Sequence, residues 1–125
     1  NHPEIALNLI FRNHLRNDLE SLTQYAKLKT NLLSDENSFK KQPGHLFTGY
    51  NLGKDAFVRK ILETEGFNGH RFLKVTHFEE WTSYHRIRKE QIFDPINIVY
   101  DPHHPTINAV SHFHFILCIG VRVVT

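Results

Sequence analysis

The sequence predicts a mixed α+β chain. In its first half, apolar residues recur at three- and four-residue intervals, the period of amphipathic helices. In its second half, β-branched and aromatic residues gather into short runs around a single further helix. Turn signals at Asn68-Gly69 and Asp101-Pro102 punctuate the change.

The first helix is expected to start at Pro3, whose missing N–H costs nothing at a helix start, with Asn1 or His2 as cap. Ile5, Leu9, Ile10, Phe11 and Leu15 give it an apolar stripe. Asn17 or Asp18 then caps a second helix, in which Leu19, Leu22, Tyr25, Ala26, Leu28, Leu32 and Leu33 keep helical spacing. Ser34-Asp35-Glu36-Asn37-Ser38 ends it, and Lys40-Lys41-Gln42-Pro43-Gly44 reads as a polar loop. A third helix is expected from about Gly53 to Glu65, burying Phe57, Ile61 and Leu62, with Gly66 closing it.

Beyond Asn68-Gly69, residues 72–78 read as a strand that passes directly into a helix running to about Phe93. Trp81 and Tyr84 are its expected core anchors, and Asp94-Pro95 stops it. Residues 111–119 and 121–125 read as the two strands of a hairpin turning at Gly120.

Composition excludes several classes. A formal charge of +2 with acidic and basic residues interspersed argues against a nucleic-acid partner. No apolar stretch reaches the ~20 residues that span a bilayer, so no membrane role is expected. The opening NHPEIALNLIF lacks the pattern of a signal peptide, which makes a cytoplasmic location the default. One cysteine, Cys118, permits no internal disulfide and sits in an apolar run where a thiol is ordinarily inert. The chain opens without Met and closes on the strand-like VRVVT, and an excerpt from a longer protein is expected.

The candidate ligand residues are Arg12, Arg16, Tyr50 and Lys54, with Lys29 beside them. Charged helical residues are ordinarily solvated. The functional alternative is a cationic cluster that neutralises phosphate, for which Arg offers a fork and Lys a point charge. Arg12 and Arg16 share a face at i,i+4, and Tyr50 and Lys54 share one if the third helix starts early. Among the ten histidines, His112 and His114 would point to one side of a strand, with His77, His103 and His104 as further zinc candidates. A half-buried strand with His on its more polar side explains the pair better, so no metal ligand is assigned. A general-base role for one histidine is the remaining chemical use.

Phe11-Arg12, Leu15-Arg16, Tyr25, Leu28-Lys29, Tyr50, Lys54, Phe57 and Ile61-Leu62 together resemble the C-terminal part of the GrpB family over residues 1–66. The resemblance implies a fold similar to nucleotidyltransferases. Asn13 stands where many relatives carry an acid, and the loop before Tyr50 is longer than usual. The Gly-Ser turn and paired carboxylates that such catalysis needs do not occur in this sequence. This segment alone is therefore not expected to catalyse that reaction.

Residues 67–125 form the second expected unit. The text FEEWTSYHRIRKEQIFDPINIVYD and the hairpin around Gly120 look like the N-terminal part of a GNAT acetyltransferase, whose opening order is strand, helix, irregular segment and hairpin. The resemblance implies acetyl-CoA as cofactor of the parent protein. The glycine-rich turn that would cradle its pyrophosphate is absent here, so no cofactor residue is assigned in this chain.

Two functions are expected from these readings. In one, the parent transfers acetyl from acetyl-CoA to an amine substrate, this chain alone being inactive. In the other, the chain is a non-catalytic module binding a nucleotide, another phosphate-bearing small molecule or a partner protein. Self-association through the C-terminal hairpin is expected in either case.

Overall fold

A computed structural model describes residues 2–41 and 47–125 of the chain. Helix α1 (Pro3–Asn17) begins where Pro3 predicts, and the ring of His2 caps it by accepting the Glu4 N–H. Asp18 ends α1 and starts α2 (Leu19–Ser34), its carboxylate accepting from both the backbone N–H and the hydroxyl of Ser21. That one residue lets the chain reverse without a loop. The alternative cap Asn1 and most of the polar loop expected at Lys40–Gly44 lie outside the described residues.

The expected third helix is two. A short α3 (Gly49–Leu52) leads through Gly53 and Lys54 into α4 (Asp55–Thr64), which buries Ile61 and Leu62 as expected but leaves Phe57 half-buried. Helical residues thus begin before Gly53, which corrects the predicted start. Neither α1 nor α2 contains a fully buried residue. They are held instead by an aromatic cluster in which Phe11 meets Tyr25 edge-on at 5.2 Å and Tyr25 stacks on Phe57 at 5.4 Å.

The second half supplies a three-stranded antiparallel sheet of order β1-β2-β3, made of β1 (His70–Lys74), β2 (Phe115–Ile119) and β3 (Arg122–Val123). Helix α5 (Phe78–Arg88) follows β1 and continues as a wider π turn over Lys89–Phe93 and a 3₁₀ turn at Asp94–Ile96. The strand expected over 72–78 is therefore shifted, starting at His70 and stopping at Lys74. Glu80 explains where it stops, because its carboxylate accepts the N–H groups of Thr76 and His77 and starts α5 there. The hairpin is also shorter than expected. Since β2 begins at Phe115, His112 and His114 precede it and do not share a strand face.

The inner sheet face and α5 form the main core: Val75, Tyr84, Ile116 and Cys118 are buried, with Leu73, Trp81, Ile107 and Val123 packed against them. Gly120 turns the hairpin at φ +62, in a conformation L side chains rarely adopt. A Cβ there would also strike the Phe67 carbonyl. Two arginines tie the helical segment to that turn. Arg71 donates to the Gly120 carbonyl at 2.8 Å and reaches Glu4 on α1, while Arg59 on α4 donates to the Val121 carbonyl at 2.9 Å. On the opposite sheet face Phe72 and Phe115 are exposed and stack on each other at 5.1 Å, while Lys74, Leu117 and Ile119 are half-buried.

Candidate functional site

Two Tyr–Lys pairs of identical spacing meet where α2, α3 and α4 come together. On α2, the Lys29 ammonium lies 4.8 Å from the centre of the Tyr25 ring, one turn earlier. From α3, the backbone stays helical through Gly53 and Lys54, and the Lys54 ammonium lies 4.2 Å from the centre of the Tyr50 ring. Both contacts follow from i,i+4 geometry. Each ring is fixed from behind: Tyr25 by Phe11 and Phe57, Tyr50 by Phe39, which stacks on it at 6.4 Å.

Gly53 allows the two pairs to come close. A Cβ on it would lie 2.5 Å from Cδ2 of Leu32 on α2. The absent side chain therefore lets α3 seat directly on α2, bringing Lys54 into the field of Lys29. Burial first, then the Lys29 charge, pulls the Lys54 amine below its ordinary range. Burial and then Tyr50 push the Tyr25 phenol above its own. Among the described residues, no carboxylate forms an ion pair with Lys29 or Lys54. Each ammonium thus sits over an aromatic ring, half-buried and without a carboxylate partner among the described residues, which suits a compact anion.

Of the sequence candidates, Tyr50 and Lys54 are brought together and Lys29 joins them. Arg12 is exposed and donates to Oδ1 of its neighbour Asn13, at 3.3 Å from Nε and 3.1 Å from NH2. Arg16 is exposed in the last turn of α1. Neither arginine has a hydrogen bond or ring contact with Tyr50 or Lys54 among the described residues. Tyr25 was not singled out as a ligand residue. The signal for it is the repeat Y-x-x-x-K, at Tyr25–Lys29 and again at Tyr50–Lys54.

A second cluster, also not anticipated, surrounds Arg59. Its guanidinium bonds Asp55 at 2.7 Å and Glu80 at 3.3 Å, and His77 lies 3.6 Å from the same Asp55 carboxylate. A cleft of about 400 Å³ opens beside it, and another of about 700 Å³ lies between α4, α5 and β3, bordered by Lys60, Glu63, Glu79, Arg86 and Arg122. Arg59 is fully engaged in joining elements, and the charges around the larger cleft are mixed in sign.

The histidines serve separate structural purposes. His114 donates from Nε2 to the Thr106 carbonyl at 3.2 Å, and its Nδ1 lies 2.6 Å from the Tyr84 hydroxyl. His77 and His104 cap helical turns, and the His112 ring bonds the hydroxyl of its neighbour Ser111. Among the described residues, no group of three or more His, Cys, Asp or Glu side chains is placed to hold a metal ion. Cys118 is buried, and that burial raises its thiol above the ordinary range.

Comparison with known proteins identifies one family. The family described as GrpB protein matches residues 1–64, a span that contains Tyr25, Lys29, Tyr50 and Lys54. No curated protein and no solved structure matches the chain. Nothing in these comparisons supports the acetyltransferase resemblance of the second half.

Proposed function

The chain belongs to the GrpB family, of the nucleotidyltransferase-like superfamily, and from that premise we propose that its helical segment is a binding module for phosphate-bearing small molecules. Lys29 and Lys54 supply the charge, and Tyr25 and Tyr50 form the floor on which they stand. The observation that carries this reading is the paired Tyr–Lys arrangement with no carboxylate partner. Holding two such cations together is unfavourable on its own, and an oxyanion between them removes the repulsion. Arg12 and Arg16 are proposed as an outer cationic rim that raises the local concentration of anions without contacting them.

The test is calorimetric titration of the full chain with inorganic pyrophosphate and with a nucleoside triphosphate, at low and high salt. Saturable binding that weakens with salt and is lost in the Lys29→Met/Lys54→Met double variant is the expected result. Equal binding by the double variant would refute the assignment. Binding of the triphosphate but not of pyrophosphate would move the recognition from the phosphates to the base.

A second reading is acetyl transfer by the parent protein. Its one supporting observation is that β1, α5, β2 and β3 follow each other in the order that resemblance implies. In this reading acetyl-CoA is held by residues other than those of this chain. Titrating acetyl-CoA into the full-length parent discriminates the two, since the phosphate-module reading assigns no binding that depends on the thioester.

A further inference from the structure

We propose that the segment 97–108 is latched onto α5 and the sheet by two histidines, His85 and His114, and that acidification releases it. The inference is independent of the phosphate-binding reading.

The segment runs between the 3₁₀ turn at Asp94–Ile96 and the approach to β2, and it is held at few points. Tyr100, Thr106 and Ile107 are half-buried, and every other residue in it is exposed. Two of these three are tied by imidazoles. The Tyr100 hydroxyl lies 2.6 Å from Nδ1 of His85 on α5, and the Thr106 carbonyl accepts from Nε2 of His114 at 3.2 Å. Ile107 is the third hold, packed against the core. His114 itself stays with the sheet, because its carbonyl accepts the Val75 N–H at 2.9 Å.

The surroundings single out these two rings. Four of the described histidines are half-buried. His14 faces Glu65 and His77 faces Asp55, so a proton on either meets a carboxylate. His85 and His114 form no ion pair among the described residues. They share neighbours instead: the Trp81 ring centre lies 5.5 Å from each, and the Tyr84 ring centre lies 5.7 Å from His85 and 5.1 Å from His114. Arg88 on α5 joins the cluster, donating to the Tyr84 hydroxyl at 3.3 Å, and that hydroxyl lies 2.6 Å from Nδ1 of His114. The segment contributes Tyr100, Asp101 and His103, and the Asp101 carboxylate accepts the His103 N–H at 2.8 Å.

Protonating the two rings places two more cations beside Arg88 in one half-buried cluster. The Trp81 face favours a charged ring. Burial opposes it first, then the charges of His103, His114 and Arg88, and the balance holds His85 below its ordinary range. Lifting the segment returns His85 to water, where it takes a proton at about 6.5. The latched form is therefore at full strength above that value. It weakens as pH falls below it, and stops weakening once pH passes the lowered value of the latched ring.

Amide hydrogen exchange of the full chain is measured at about pH 7.5 and about pH 5, on either side of the histidine range, with times scaled for the slower intrinsic exchange in acid. Peptides covering 97–108 are expected to exchange several-fold more at the lower pH, while β1 and β2 stay protected. Trp81, the one tryptophan of the chain, should report the same event by a red shift of its emission. The midpoint of that shift should coincide with the titration of the His85 ring followed by NMR. The double variant His85→Gln/His114→Gln carries no titratable latch and should show no acid step. Unchanged exchange of 97–108 in the unmodified chain overturns the proposal, as does a midpoint that departs from the His85 titration. Loss of protection in β1 and β2 together with the segment means global unfolding and overturns a local latch. An acid step that survives in the double variant overturns it too, and moves the response to His103 or His104. The comparison of midpoints uses the unmodified chain, so it decides the matter even where the double variant is open at both pH values.

Discussion

Glu80 on α5 accepts from Arg59 on α4 at 3.3 Å with one carboxylate oxygen, while the other accepts the Thr76 and His77 N–H groups at 2.9 and 3.0 Å. A single side chain, 3% exposed, therefore caps a helix and binds the helical segment to the sheet. Arg59 completes the link through Asp55 and the Val121 carbonyl.

Glu80→Gln keeps the shape and removes the charge that Arg59 faces. Asp55 still holds the guanidinium, so the loss is partial, and about 2–3 kcal/mol of stability is expected to go. Urea denaturation with an unchanged slope and a lower midpoint is the signature. A change within about 0.5 kcal/mol, the size of an ordinary surface substitution, would remove Glu80 from its place in this account.

Lys54 yields a prediction with the opposite sign. Its amine is held below its ordinary range when folded, so the folded state disfavours the bound proton. Between the folded and unfolded pKa values the unfolded chain binds more protons, and stability rises with pH across that window. Lys54→Met should therefore melt at a higher temperature than the unmodified chain at neutral pH. The gap should close as pH passes the ordinary lysine value of about 10.4. Thermal melts at several pH values check this, and a variant less stable at neutral pH shows that the Tyr50 contact outweighs the repulsion.

Much of the helical half was legible because its signals are local. Pro3, Asp18 and the stripe of α1 act within a few residues of themselves, and the spacing placed Lys54 on the face of Tyr50. The split between α3 and α4 was not legible, since the packing of Gly53 on Leu32 joins positions in different helices. Arg59 carries no local signal of its own, because two of its partners, Glu80 and Val121, lie 21 and 62 positions away. The end of β1 was missed because Val75, Thr76 and Phe78 suit a strand, and Glu80 overrides them by capping α5. His114 looked like half of a strand pair, and only the fold brings Tyr84 to its ring.

The closeness of α3 to α2 is testable by a double-mutant cycle. Gly53→Ala places a methyl group 2.5 Å from Leu32 Cδ2, the end of a flexible side chain, so Leu32 must turn aside and the net cost should stay within about 1 kcal/mol. Leu32→Ala alone loses packing. The two together should be less destabilised than the sum, with a coupling of at least about 0.5 kcal/mol. Additive effects would mean that α3 does not seat on α2 through this contact.

The outer sheet face carries the expectation of self-association. Phe72 and Phe115 are 71% and 47% exposed, stacked on each other, and β1 pairs Phe72 with Leu117 and Lys74 with Phe115 across the same face. β3 beside them is an edge of only two residues. Apolar surface of this kind is ordinarily covered, and a second copy of the chain can cover it with the same face. Covering one such ring contributes roughly 2 kcal/mol, about thirtyfold in an association constant. Phe72→Glu should therefore shift the chain strongly toward monomer while leaving the inner core of Val75, Ile116 and Cys118 untouched. Sedimentation velocity across micromolar concentrations reads this directly against the 14.7 kDa of one chain. A wild-type sample that runs as monomer throughout, with a cooperative melt, shows that the face is stable uncovered and that the hairpin does not mediate association.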